Sequence, residues 1–493
     1  MKSAVEKWGL FERSFEGTFE GNPFIKVDFK AVFRHEKNIV EVTGFYDGDG
    51  IYKIRFMPTE LGTWTFTTKS NIESLDGKEG SFECISPSQN NHGPVRVRDE
   101  FHFEYADRTP HYSFGTTCYA WIHQSKELQE KTLATLKNSP FNKIRMCVFP
   151  KHYDYNHNEP DLYPFEGSLD KGFDFTKFNA KFFRHLEKQI YNLQELGIEC
   201  DLILFHPYDR WGFSNMGSEN DDRYLKYIIS RLSAFRNIWW SLANEYDLFY
   251  DYINKVPTKN IGDWDRLFHI VKRNDPYQHL MSIHNCRKFY DYGKPWVTHC
   301  SIQRLDTFRT SENTDEWREL YRKPIVIDEC AYEGNINHGW GNITGEEMTR
   351  RFWEGTVRGG YVGHGETYVH PQNILWWSHG GELHGTSPAR IAFLRSIIEA
   401  APGPISPISK PAAGYDPNWD VTCGTVGEDY FMYYFGFYQP AFRVFNLPEG
   451  TKYKVDIIDT WNMTITELPG TFTGEFHIDL PGKQFIAVRM TRA

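Results

Sequence analysis

Hydrophobic and polar positions divide the 493-residue chain into three stretches of different period. Up to about residue 95, apolar and polar residues alternate, the two-residue period of half-buried strands. Ile25, Val27 and Phe29 fall on one face, Ile39-Val40-Glu41-Val42 leads into a turn at Asp47-Gly48-Asp49-Gly50, and Trp64-Thr65-Phe66-Thr67 resumes the alternation. Residues 1–98 are expected to form an N-terminal β-sandwich. From about 110 to 400, apolar runs alternate with amphipathic segments of helical period. The clearest helix carries Phe182, Leu186, Ile190 and Leu193, and Gly197 stands where a helix end favours left-handed backbone. Eight strand candidates follow in order: 112–116, 143–149, 200–205, 238–243, 280–284, 297–302, 325–328 and 360–363. With helical stretches between most of them, they predict an α/β fold, a (β/α)8 TIM barrel over 99–401. A doubly wound sheet is the structural rival, but no GxGxxG follows the first strand. Breakers from Pro402-Gly403-Pro404 through Pro407, Pro411 and Pro417 end this region. Alternation then returns at Tyr453/Val455/Ile457 and Phe476/Ile478/Leu480, predicting a small C-terminal β-sandwich over 402–493.

Composition narrows the partners. Fifty-five basic residues against 65 acidic ones leave a net charge of −10, which argues against nucleic acid and against anionic membrane surfaces. No stretch reaches the length of a membrane span. Oligomeric state is not set by the pattern. Aromatic residues make up 16%, enough to floor a sugar cleft, although large cores also hold many rings. The first ten residues contain no apolar leader, and the eight cysteines are scattered singly. Cys118, Cys147, Cys200, Cys286 and Cys300 lie in or just after apolar segments and read as small buried thiols, so a cytoplasmic location is expected. Asn342-Ile343-Thr344 and Asn462-Met463-Thr464 are then chance glycosylation matches. The Asp47/Asp49 pair hints at a calcium loop, but Ile51 occupies its fifth position and a hairpin turn fits better.

In a parallel barrel, working groups project from the C-terminal ends of the strands. The fourth candidate runs into Asn244-Glu245-Tyr246 and the seventh into Glu329-Cys330-Ala331-Tyr332. Two carboxylates facing one bond suit glycoside hydrolysis, because one must be ionised and the other must hold a proton. Further candidates for substrate contact are Arg145 near the end of the second strand, His206 after the third, His284 ending the fifth and Glu366 after the eighth. Trp376 and Trp377 could supply a stacking wall, and Lys151, His152 and Asp154 follow the second strand. No metal and no cofactor is expected. The first strand ends Thr116-Thr117-Cys118-Tyr119 without a His-x-His pair, and neither His284 with Cys286 nor His299 with Cys300 has zinc spacing.

Asn-Glu on strand four and Glu on strand seven resemble the signature of glycoside hydrolase clan A, the barrels with two catalytic glutamates. The resemblance implies a retaining β-glycosidase with Glu245 as acid/base and Glu329 as nucleophile. It implies that Asn244 bonds the sugar 2-hydroxyl and that Arg145 orients the nucleophile. Clan members commonly offer a Tyr or His from strand six to the nucleophile, a place for which His299 and Gln303 compete. The segments 329–334, 350–353 and 359–364 are similar to a bacterial group that often carries a β-sandwich before the barrel and a short β domain after it. The expected substrate is a plant or microbial oligo- or polysaccharide, in the β-galactoside, glucoside, xyloside or apioside range. Long loops at 151–170 and 207–220 could wall off a pocket, which favours removal of terminal residues. The alternative is a catalytically inactive carbohydrate-binding protein, lectin-like, that uses the same cleft.

Overall fold

The computed structural model describes residues 3–18, 20–251, 256–306, 309–369, 375–408 and 414–493; the breaker Pro411 lies outside them. Its centre is a ring of short parallel strands: β1 (Gly115–Thr117), β2 (Lys143–Cys147), β3 (Glu199–Ile203), β4 (Ile238–Ser241), β5 (Met281–Ser282), β6 (Cys300–Gln303), β7 (Ile325–Glu329) and β8 (Tyr361–His364). They pair in the order β5-β4-β3-β2-β1-β8-β7-β6, and a parallel bridge between His284 and Ser301 joins the two outer strands. All eight expected strands are present, with altered ends. Around them stand α1 (Lys126–Lys137), α2 (Ala180–Glu195), α3 (Ser218–Leu232), α4 (Ile261–Asn274), α5 (Thr314–Tyr321), α6 (Gly345–Val357) and α7 (Ser387–Glu399). Among the described residues no helix joins β5 to β6.

Local sequence explains these elements. In α2 the Asn179 side chain accepts from the Lys181 amide at one end, and Gly197 takes φ +70° beyond the other. Phe182, Leu186, Ile190 and Leu193 of this helix pack into one apolar layer with Ile144 and Met146 of β2. The alternate residues of β2, Lys143 and Arg145, enter a buried ion cluster inside the barrel. Lys143 Nζ lies 3.1 Å from Asp201 and 2.6 Å from Asp328, and Arg145 Nη1 lies 2.9 Å and 3.3 Å from the same carboxylates. Two cations against two carboxylates leave no charge unmatched in this dry interior. At the opposite end, the three-stranded sheet of Val95–Arg98, His102–Tyr105 and Pro110–His111 puts Val95 and Phe103 against Trp239, Leu280, Val326 and Tyr361. That sheet covers the floor of the barrel.

Before the barrel, a five-stranded and a three-stranded sheet enclose one aromatic core, in which Phe11, Ile54 and Phe56 meet Phe33, Trp64, Phe66 and Phe82. Ile25 departs from the expected strand face. Asn22 caps a helical turn at Pro23–Lys26, because proline presets helical φ at the first position, and Ile25 is left exposed. The turn at Asp47–Gly50 does connect antiparallel strands, Phe45–Tyr46 and Ile51–Phe56. After the barrel, a six-stranded sheet and a two-stranded ladder enclose Tyr433, Phe445, Tyr453, Val455, Ile478 and Val488. All eight cysteines are free thiols, but Cys286 is half-buried rather than buried. No helix among the described residues is long and apolar enough to cross a membrane.

Candidate active site

A cavity of about 480 Å³ is lined by residues that follow the C-terminal ends of the strands. Tyr119 comes from beyond β1, Lys151, Tyr153, Asp154 and Tyr155 from beyond β2, and Tyr208 from beyond β3. Asn244 and Glu245 follow β4, Cys286 follows β5, and Gln303 ends β6. Glu329 ends β7, with Tyr332, His338 and Trp340 after it, and Trp377 closes the ring after β8. The two glutamates therefore share one pocket. Its walls are rings: Trp377 lies 5.0 Å from Trp340, 5.3 Å from Tyr153 and 5.8 Å from Tyr119, centroid to centroid.

Each glutamate has its own electrostatic surroundings. Tyr119 donates its hydroxyl to Glu329 Oε1, and His284 Nε2 lies 3.3 Å from the same oxygen. Behind it, His284 Nδ1 sits 3.1 Å from Ser301 Oγ, which donates to Asp328 at 2.6 Å. Burial pushes the Glu329 carboxyl upward, but the His284 contact, the Tyr119 hydroxyl and the Arg145 charge together hold it below the ordinary carboxylate range. Glu245 moves the other way. Burial raises its pKa and the Glu329 charge adds to that, while the Lys151 ammonium and the Tyr208 hydroxyl offset it only in part. Tyr208 donates to Glu245 Oε2, and Asn244 Nδ2 donates to the same oxygen at 3.2 Å. Gln303, oriented with its amide nitrogen toward acceptors, donates to Glu245 Oε1 at 3.2 Å. Glu245 holds left-handed backbone at φ 51°, ψ 54°, a conformation that side chains other than glycine adopt at a cost of about 1–3 kcal/mol and that concentrates at functional sites.

Lys151 adds a cation to this pocket. Its Nζ lies 3.6 Å from the Tyr119 ring centroid, 4.3 Å from Tyr208, 4.6 Å from Tyr153 and 5.5 Å from Trp377. Electron-rich ring faces stabilise an ammonium held there.

Several sequence expectations need correction. Of the candidate site residues, Asn244, Lys151, Asp154 and Trp377 line the described cavity together with the two glutamates, while Arg145, His152, His206, His284, Glu366 and Trp376 do not. Arg145 lies beneath, donating to Asn244 Oδ1 at 3.2 Å and engaged with Asp201 and Asp328. His284 is fully buried behind Glu329. His206 turns into the protein, with Nε2 3.1 Å from the Phe149 carbonyl, and burial drops its pKa to about 3; Tyr208 takes the cavity place two residues later. Glu366 instead accepts from the backbone amides of His384 at 2.5 Å and Gly385 at 2.7 Å. Trp376 donates to Thr116 Oγ1 at 2.8 Å inside the barrel core. Neither candidate from strand six supports Glu329. His299 packs at the far end against Trp239 and Phe103, and Gln303 faces Glu245. Tyr119 and His284, from strands one and five, fill that role. Sequence reasoning passed over Tyr119, Tyr153, Tyr155, Tyr208, His338 and Trp340 as site residues. The strand-end rule that found the glutamates would have found Tyr119 and Tyr208 if applied to phenols.

Residues 98–406 match the family described as apiosidase-like, catalytic domain. Residues 4–71 and 419–491 match two domains of unknown function, DUF5060 and DUF5605 respectively. No curated protein matches the chain. Among solved structures, a candidate glycoside hydrolase from Bacteroides vulgatus ATCC 8482 is 41% identical with a TM-score of 0.92, covering 100% of both chains. A glycoside hydrolase of family 5 from the same organism shares the fold at 15% identity and a TM-score of 0.61, over 82% of this chain and 94% of that one. With a glutamate pair in an aromatic pocket at the strand ends of its barrel, the chain is a glycosidase and belongs to the apiosidase-like family.

Proposed function

We propose that the protein is a retaining β-glycosidase in which Glu329 is the nucleophile and Glu245 the acid/base. One observation carries this reading: two buried glutamates face one cavity, and their surroundings drive their protonation apart. Glu329 attacks the anomeric carbon while Glu245 gives its proton to the departing oxygen, leaving a glycosyl ester on Glu329. As that ester forms, the Glu329 charge disappears and the largest charge opposing ionisation of Glu245 goes with it. Glu245 then takes a proton from water, the water oxygen bonds to the anomeric carbon, and the ester bond breaks. Asn244, held by Arg145, is placed to bond the 2-hydroxyl, and Trp377 offers a ring face to the sugar. The walls formed by residues 151–155 and 338–340 favour a terminal sugar of a plant or microbial glycan, β-linked apiose included.

The test is a panel of nitrophenyl β-glycosides with proton NMR of the first-formed anomer. Retained configuration is expected, with E245Q reducing kcat on poorly leaving substrates by about 10²–10⁴-fold. E329Q is expected to remove turnover while sugar still binds. An inverted product, or an E329Q variant with near-normal turnover, would sink the reading.

A further inference from the structure

We propose that Glu333, His364 and Glu366 form a binding site for a divalent metal ion of the zinc or manganese class, set behind the pocket wall and outside the reacting centre. Glu333–Gly334 and Glu366–Thr367 pair in parallel, extending the β7–β8 side of the barrel beyond its rim. All three side chains are buried, at 0%, 0% and 1% exposure. One carboxylate oxygen from each glutamate and one ring nitrogen of His364 lie within 4.8 Å of one another. The two glutamates also converge: a β-carbon on Gly385 would come 2.5 Å from Glu333 Oε2 and 2.7 Å from Glu366 Oε2.

Among the described residues, neither carboxylate has a lysine or arginine in ion-pair contact; their hydrogen-bond donors are neutral. Glu333 accepts from the Thr386 amide at 2.7 Å and the Ser387 amide at 3.0 Å, at the start of α7. Glu366 accepts from the two amides named above. Glu333 Oε1 also accepts from the Thr386 hydroxyl and the Tyr368 hydroxyl, each at 3.1 Å, and is filled; Glu333 Oε2 and both Glu366 oxygens each take one donor here and keep a lone pair. The independent sign of a ligand comes from His364. Its Nδ1 sits 3.0 Å from Thr116 Oγ1, while its Nε2 is buried with no hydrogen-bond partner. An imidazole with one nitrogen braced by an oxygen and the other unpartnered beside two carboxylates has the build of a metal ligand. One imidazole with two carboxylates suits zinc or manganese better than calcium, which takes six to eight oxygens. Glu333 directly follows Tyr332 and precedes His338 and Trp340, so a metal here would tie that wall of the cavity to the segment after β8.

The full chain, expressed in medium supplemented with Zn²⁺ or Mn²⁺ and then desalted, is measured by elemental mass spectrometry and thermal melting. One equivalent of metal per chain is expected in the wild type, with a melting temperature that falls on prolonged chelation and recovers when metal returns. H364Q and E366Q should carry at least tenfold less metal and melt without regard to it. T116V, which removes the oxygen behind His364 and also leaves the Trp376 indole N–H unpaired, keeps all three ligands and should lower metal affinity about 10–100-fold, read against its own metal-free melting temperature. A wild type without stoichiometric metal, whose melting ignores chelator and metal alike, would overturn the proposal; the carboxylates then share a proton only. Variants that all retain wild-type metal content would overturn it too.

Discussion

Glu245 and Glu329 are chemically identical side chains in one pocket, and what drives their protonation apart is the company each keeps. Lys151 is the strongest cation acting on Glu245, so its removal makes ionisation of Glu245 harder. The rate profile is expected to be bell-shaped, with Glu329 ionised on the acid limb and Glu245 protonated on the alkaline limb. K151M should shift the alkaline limb to higher pH and leave the acid limb nearly in place; an unmoved alkaline limb in kcat/KM would show that Lys151 does not govern Glu245. Tyr119 offers a second test. Its hydroxyl stabilises the ionised Glu329, and a hydrogen bond to a charged group contributes about 1.5–3 kcal/mol. Y119F should therefore lower kcat/KM by roughly 10–100-fold and raise the acid limb, whereas loss of binding alone would raise KM with kcat unchanged. The glutamates were legible because strand ends are visible in a sequence. The phenols around them were not, since a tyrosine after an apolar run fits a core equally well until the rings are seen to face one space.

At the level of elements, β2 explains both the success and the failure of periodicity. Its sequence Lys-Ile-Arg-Met-Cys alternates charged with apolar residues, and the helix-facing apolar layer on Ile144 and Met146 was readable from that. Where Lys143 and Arg145 end was not readable, because their partners Asp201 and Asp328 lie 56 to 185 residues away. Arg145 therefore looked like a substrate contact, and it is a support. R145M would strip charge from two buried carboxylates and release Asn244, so destabilisation of about 3–5 kcal/mol is expected by denaturant unfolding. A variant as stable as the wild type would contradict the ion-cluster argument. The turn at Pro23 departed from expectation because capping by Asn22 outweighs local alternation, whereas the helix-free β5–β6 connection, which places Tyr290 and Tyr292 in the apolar core, is consistent with helices between only most of the strands.

Across the whole molecule, the N-terminal sheets are joined to the barrel through charge rather than through apolar surface alone. Asp47, at the hairpin turn, meets Arg231 of α3 at 2.8 Å, and Arg55 meets Glu187 of α2 at 2.8 Å. Arg231 also reaches Glu187 at 2.5 Å, which makes one buried network across the junction. The hairpin was visible in the sequence, but its partner 184 residues away was not. Burial raises the Glu187 pKa, yet Arg55 and Arg231 outweigh it and hold it at about 2, against an ordinary 4.5. A carboxylate depressed on folding contributes stability that is complete above its unfolded pKa and is lost as pH falls through its folded one. The junction should therefore weaken between about pH 4.5 and pH 2. R55M removes one of the two cations that sustain this depression, so its melting temperature should fall well below the wild type at pH 7. The gap should narrow at pH 3, where the wild type has begun to lose the same contribution and the variant has already lost it. Calorimetry at the two pH values decides the matter, and a gap of equal size at both would mean that Glu187 does not couple the two units through its charge.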